Sequence, residues 1–165
     1  MRLFKRKQPD EKIKRMPDDA VCAPVTGEMI PASNIADPVF STECMGQTIG
    51  FEPSNDTVVV PVNGTVTALF PSGHAFGVTT KEGNGFLVHI GIDTVNLQGK
   101  GFHPYIKQGD FVYAGQTAVK VDADFIRKQG YSMTTMLVVT EKAVDDYKVD
   151  YIDCGPVVSG QRINR

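Results

Sequence analysis

Three histidines stand in this 165-residue chain, and two of them sit where an imidazole could do chemistry. His89 interrupts the apolar run Phe86-Leu87-Val88-His89-Ile90, and His74 lies fifteen residues upstream in Ser72-Gly73-His74-Ala75-Phe76-Gly77-Val78. An imidazole with an ordinary pKa of about 6.5 is largely neutral at neutral pH, so it can act as nucleophile, base or metal ligand without further activation. One histidine in an apolar run is more often a core residue hydrogen-bonded to backbone. Two near one hairpin shift the balance toward a site. Asp93 follows His89 by four residues, a spacing that would also suit a pair of metal ligands. His103, in Gln98-Gly99-Lys100-Gly101-Phe102-His103-Pro104, falls in a glycine-rich loop and reads as exposed and without a role.

Strands are needed to hold these rings. The turn Lys81-Glu82-Gly83-Asn84-Gly85 precedes the His89 run, which is too short for a helix and so predicts a strand. Alternation puts His89 on the face shared with Leu87. His74 to Thr80 predicts the partner strand, which would bring the two histidines face to face on neighbouring strands. Thr57 to Val60, Asn63 to Phe70, Cys44 to Phe51 and Thr117 to Val121 predict further strands, and Met133 to Thr140 a last strong one. Asp37-Pro38-Val39-Phe40 reads as a loop, because Pro38 cannot sit inside a central strand. Asp122 to Gly130 is the one expected helix, with Asp122 as its N-cap, Phe125 and Ile126 as its apolar side and Gly130 as its stop. Pro-Val-x-Gly occurs twice, at Pro24 to Gly27 and Pro61 to Gly64, each time before a short apolar alternation.

Length and 41% hydrophobic content suit one domain with its own core. The net charge of −2 conceals an asymmetry, since residues 1–15 carry seven Lys or Arg against Asp10 and Glu11. That leaves an acidic body, which argues against nucleic acid and suits a basic protein partner. Residues 1–19 are polar and basic and are expected to form a flexible arm, with residues 20–165 as the domain. Leu3 and Phe4 among Arg2, Lys5, Arg6 and Lys7 would allow residues 1–15 a weak contact with an anionic membrane surface. Cys22, Cys44 and Cys154 show no Cys-x-x-Cys spacing and read as reduced thiols in a cytoplasm. No apolar stretch approaches the roughly 20 residues a membrane helix requires.

The pattern Leu87-Val88-His89-Ile90-Gly91-Ile92-Asp93-Thr94-Val95, with Ser72-Gly73-His74-Ala75-Phe76-Gly77-Val78 upstream, resembles the glucose-type enzyme IIA family of the bacterial sugar phosphotransferase system. The resemblance runs from about Val21 to about Thr140 and takes in Ala23-Pro24-Val25-Thr26-Gly27, Asp37-Pro38-Val39-Phe40-Ser41, Met45-Gly46, Pro61 to Val66, Gly109-Asp110 and Ala114-Gly115-Gln116. Ala143 to Arg165 departs from the expected pattern and is assigned only loosely, to a closing strand or tail. The resemblance implies an all-β fold, an antiparallel β-sandwich or flattened barrel with Greek-key or jelly-roll connections and little helix.

It also implies roles. His89 would be the phosphorylated nucleophile, His74 the neighbouring donor that stabilises the phosphoryl group, and Ser72, where a threonine is expected, the hydroxyl that orients His74. Histidine phosphoryl transfer needs a neutral ring, one fixed tautomer and donors around three oxygens. Asp37 and Asp93 would meet an arginine on the phosphoryl donor HPr, while Val39, Phe40, Met45, Phe70 and Leu87 would form an apolar docking rim. The acceptor would be a cysteine on an enzyme IIB domain of a sugar permease, in the cytoplasm or at the inner face of the membrane, with no cofactor and no metal. Two other readings compete. A regulatory module could change partners with the charge on His89. A lysostaphin-type zinc hydrolase shares His-x-x-x-Asp but also needs His-x-His, which this chain lacks.

Overall fold

Short apolar alternations broken by glycine, proline and asparagine turns favour strands, and the computed structural model, which describes residues 14–165, is built mostly of them. In chain order they are β1 Gly27–Pro31, β2 Thr48–Pro53, β3 Thr57–Val59, β4 Gly64–Leu69, β5 Ala75–Thr79, β6 Gly85–Ile90, β7 Phe102–Pro104, β8 Phe111–Val112, β9 Thr117–Val121, β10 Thr135–Glu141 and β11 Gly155–Val157. Among the described residues, one 8-stranded sheet runs β11-β1-β2-β10-β6-β5-β4-β8 and a 3-stranded sheet runs β3-β9-β7. The pairings are antiparallel.

The two sheets bury one core between them. Phe51, Phe76, Val88 and Leu137 of the large sheet meet Val58, Phe102 and Val119 of the small one, which makes the molecule a β-sandwich with little helix. Strand β10 inserts between β2 and β6, both far from it in sequence, and is buried on both faces. Leu137 and Val139 enter the main core, while Met136 and Val138 point the other way into a second cluster with Ile35 and Phe40. Half of the site rests on that second cluster.

The repeated Pro-Val-x-Gly is one device used twice. Gly27 opens β1 and Gly64 opens β4, and in each case the neighbouring strand crowds the α-carbon. A Cβ would lie 2.0 Å from the Glu52 carbonyl oxygen at Gly27 and 2.2 Å from that of Thr79 at Gly64. Only glycine allows so close an approach.

Several local expectations need correcting. Asp37 to Phe40 is not a loop: α1, Pro38–Ser41, forms because the Asp37 carboxylate accepts from Val39 N at 2.9 Å and proline stands at the first helical position. Residues 44–47 are turn, and the strand expected from Cys44 begins at Thr48, whose N–H donates to Glu43 Oε1 at 2.9 Å. The 98–104 loop ends in β7, and β8 is a two-residue strand with no counterpart among the expected ones. Met133 to Thr140 holds the last long strand in chain order, as expected, and in the sheet it is central. Asp122 does cap a short helix, α2 Ala123–Lys128, by accepting from Phe125 N at 3.1 Å, with Ile126 fully buried.

Residues 143–165 close the fold. Strand β11 pairs with β1, Ile163 is fully buried, and its N–H donates to the Val21 carbonyl at 2.8 Å. Val21 N in turn donates to Asn164 Oδ1 at 2.9 Å, across 143 residues of chain. Of the expected basic arm, residues 1–13 lie outside the described residues. Residues 14–19 do not hang free but lie against the body. Arg15 stacks 4.7 Å over the Tyr113 ring, and Asn63 Nδ2 donates to the Met16 carbonyl at 2.8 Å and to Asp18 Oδ1 at 3.1 Å. Arg162 pairs with Asp19 at 3.1 Å. Cys22, Cys44 and Cys154 are free thiols. Among the described residues no helix is long and apolar enough to cross a membrane.

Candidate functional site

Alternation along β6 sends Phe86, Val88 and Ile90 into the main core and leaves Leu87 and His89 on the opposite face. There His89 lies across from Met136 of β10 and Ala75 of β5, half-buried, with the Phe40 ring 5.0 Å away. His74 sits one residue ahead of β5 rather than on it. Its carbonyl nonetheless accepts from Ile90 N at 2.7 Å, which extends the ladder and brings its ring beside His89. The two ring centroids are 5.1 Å apart at 80°, edge to face.

Each ring is oriented at one nitrogen. Nδ1 of His89 lies 2.8 Å from the Gly91 carbonyl oxygen. A carbonyl only accepts, so Nδ1 carries the proton and Nε2 keeps its lone pair. Nδ1 of His74 is hydrogen-bonded to Ser72 Oγ. The His74 ring is buried against Phe70 and Phe102, with centroids 5.5 Å and 6.5 Å away.

Burial holds both imidazoles below their usual pKa. For His74 the neighbouring His89 adds to the effect. For His89 the bond to Gly91 and the charges of Asp37 and Asp93 work in the opposite direction without cancelling it. Burial therefore favours the neutral form of both rings, while the charges of Asp37 and Asp93 lie near enough to His89 to favour a positive charge on it.

The expected rim divides. Val39, Met45 and Phe70 are exposed, at 47%, 42% and 43%, and Leu87 is half-buried. Met45, Phe70 and Leu87 line one open depression of about 370 Å³ together with Ala68 and Gly77. Phe40 does not belong to a rim. It is 5% exposed and packs beneath His89, because the α1 turn points it into the second cluster. Asp37 spends one carboxylate oxygen on the α1 cap. Asp93 is in the left-handed region at φ 58 with no side-chain cap bond. His103 is exposed on β7.

Gly91 and Phe102 are site residues that sequence reasoning does not single out. The glycine directly after the His89 strand is a usable signal, since a sharp turn there must aim a carbonyl back at the strand end. Phe102 gives none, because it arrives from the other sheet. Among the described residues no three His, Cys, Asp or Glu side chains are grouped as a metal ion would need.

In class this is a β-sandwich that presents two edge-on imidazoles beside an open apolar depression. Residues 19–144 match the family described as phosphoenolpyruvate-dependent sugar phosphotransferase system, EIIA 1, and the chain belongs to that family. The glucose-specific EIIA component of Oceanobacillus iheyensis is 35% identical over 157 residues, 93% of this chain and 92% of its own. The glucose-specific EIICBA component of Staphylococcus saprophyticus is 36% identical over 151 residues. The match takes in 92% of this chain but 22% of that longer one, so this chain spans about a fifth of the fused relatives it matches. Among solved structures, glucose permease IIA from Mycoplasma capricolum superposes with a TM-score of 0.83 at 32% identity, covering 88% of this chain and 93% of that one. By these matches the chain is of EIIA type.

Proposed function

We propose that His89 Nε2 accepts the phosphoryl group from the phosphohistidine of HPr and passes it to a cysteine on an enzyme IIB domain. The observation that carries this reading is the commitment of His89 Nδ1 to the Gly91 carbonyl, which leaves Nε2 as a lone-pair nucleophile beside a second imidazole. In the first step the Nε2 lone pair forms the new P–N bond. The electron pair of the breaking bond returns to the donor imidazole. The Nδ1 proton stays on His89, and the positive charge gained by the ring is shared with the Gly91 carbonyl and with Asp37 and Asp93.

His74 then serves as donor rather than nucleophile. If Ser72 O–H donates to its Nδ1, the ring keeps its proton at Nε2 and directs that proton at a phosphoryl oxygen. In the second step a IIB thiolate attacks phosphorus, the P–Nε2 bond breaks, and His89 returns neutral. The exposed Met45 and Phe70 offer docking area for both partners, and Asp37 and Asp93 a place for a basic side chain. Such a relay would run in the cytoplasm, with residues 20–165 as its working unit. The same face supports a regulatory role as well, since roughly two negative charges arriving on His89 would alter what an apolar depression can bind.

The test is incubation with enzyme I, HPr and phosphoenolpyruvate, followed by mass spectrometry for an acid-labile phosphate. Label on His89 is expected, together with none in His89→Ala. Label on His74, or labelled His89→Ala protein, would overturn the assignment.

A further inference from the structure

Thr94 is fully buried, at 0% exposure, just beyond the site in the 3-10 helix Thr94–Leu97. Its hydroxyl donates to the Ile90 carbonyl at 2.5 Å, four residues back. Between them lies the turn that supplies the Gly91 carbonyl to His89. That turn is bent hard, with φ 78 at Gly91 and φ 58 at Asp93, the latter a residue type that tolerates the left-handed region better than most.

What holds the turn is visible. A Cβ on Gly91 would lie 2.4 Å from Thr94 Cγ2 and 2.8 Å from the Ser132 carbonyl oxygen, so residue 91 is wedged between the threonine methyl and the β10 approach. Ile92 N fixes the far side by donating to that Ser132 carbonyl at 3.0 Å. Ile90 belongs to both halves of the site, for its N–H bonds the His74 carbonyl while its own carbonyl accepts from Thr94.

We infer that Thr94 is a positioning residue: its hydroxyl, bonded to the Ile90 carbonyl, pins the turn that holds the Gly91 carbonyl against His89 Nδ1 and so fixes the ring tautomer that frees Nε2. The kinetic part of this inference rests on the proposed role of His89 as nucleophile. Thr94→Val keeps the shape and removes the hydroxyl. Thr94→Ser keeps the hydroxyl, and Thr94→Ala carries the same readings as Thr94→Val should the latter not fold.

Two readouts are taken on the full chain: the His89 tautomer by imidazole ¹⁵N NMR, and steady-state phosphoryl transfer from HPr. The wild type should populate the Nδ1–H form almost alone. Thr94→Val and Thr94→Ala should show a measurable Nε2–H fraction and lose about 10- to 100-fold in kcat with KM little changed, as expected when a reacting atom is misoriented while the docking surface stays intact. Thr94→Ser should stay within about threefold of wild type by the same reasoning. A lowered melting temperature with the wild-type tautomer retained would make Thr94 merely structural and overturn the inference, as would Thr94→Ser failing as badly as Thr94→Val. If wild-type His89 takes no label, the proposed function fails, yet the tautomer measurement uses no phosphate and still decides the role of Thr94.

Discussion

At the scale of the residue, two rings 5.1 Å apart are kept unequal by their partners, a carbonyl for His89 and a hydroxyl for His74. His74→Gln retains an amide donor, so His89 should still be phosphorylated. Transfer to a IIB cysteine should slow by roughly 10²-fold, since removing a donor from a developing charge typically costs that much; quench-flow with phosphorylated protein would measure it. Acid stability follows from the same burial. Both imidazoles have pKa values pushed below normal, so between those values and about 6.5 the folded protein binds fewer protons than the unfolded chain. The stability due to neutral rings is complete above about 6.5 and is lost as pH falls through the folded values. Urea midpoints should decline from about pH 7.5 to about pH 5.5, and His89→Gln, with one fewer such group, should decline less.

At the scale of the element, Gly64→Ala places a methyl 2.2 Å from a backbone oxygen that belongs to a paired strand and cannot step aside. A loss of roughly 3 kcal/mol or more is expected in a denaturant melt. That His89 shares a face with Leu87 is legible in the sequence from the pleat of a strand, but which face meets the main core is not, since Phe86, Leu87, Val88 and Ile90 are all apolar. The hairpin is legible too, from the Lys81 to Gly85 turn. Helix α1 is not, although Asp37 and Pro38 are good cap and first-turn residues, because one helical turn carries no periodicity to recognise. β7 and β8, of three and two residues, exist only through their partners β9 and β4, and local sequence cannot announce that kind of strand. Phe40 reads as a rim residue and lies in the floor, a difference that depends on a helical turn rather than on hydrophobicity.

At the scale of the whole molecule, residues 14–19 join the body through buried Asn63, so removing residues 1–19 strips two acceptors from an amide that is 6% exposed. The truncated protein should still accept phosphate, because the site begins at Asp37. Its melting temperature should fall by roughly 2–8 °C for want of those bonds. Labelling and calorimetry on that deletion separate the two effects. The hydrogen bonds between Val21 and residues 163 and 164 carry a different consequence. They hold residue 21 beside residues 163 and 164, so the packing of the segment between them does not depend on which of its residues comes first. In a variant that begins at Ala20, a short linker could join Arg165 to Ala20 and a new start be cut at Gln129–Gly130, where a Cβ on Gly130 would meet nothing within 4 Å. Such a circular permutant should fold and take phosphate on His89, since Ser72 to Thr94 would remain one unbroken stretch.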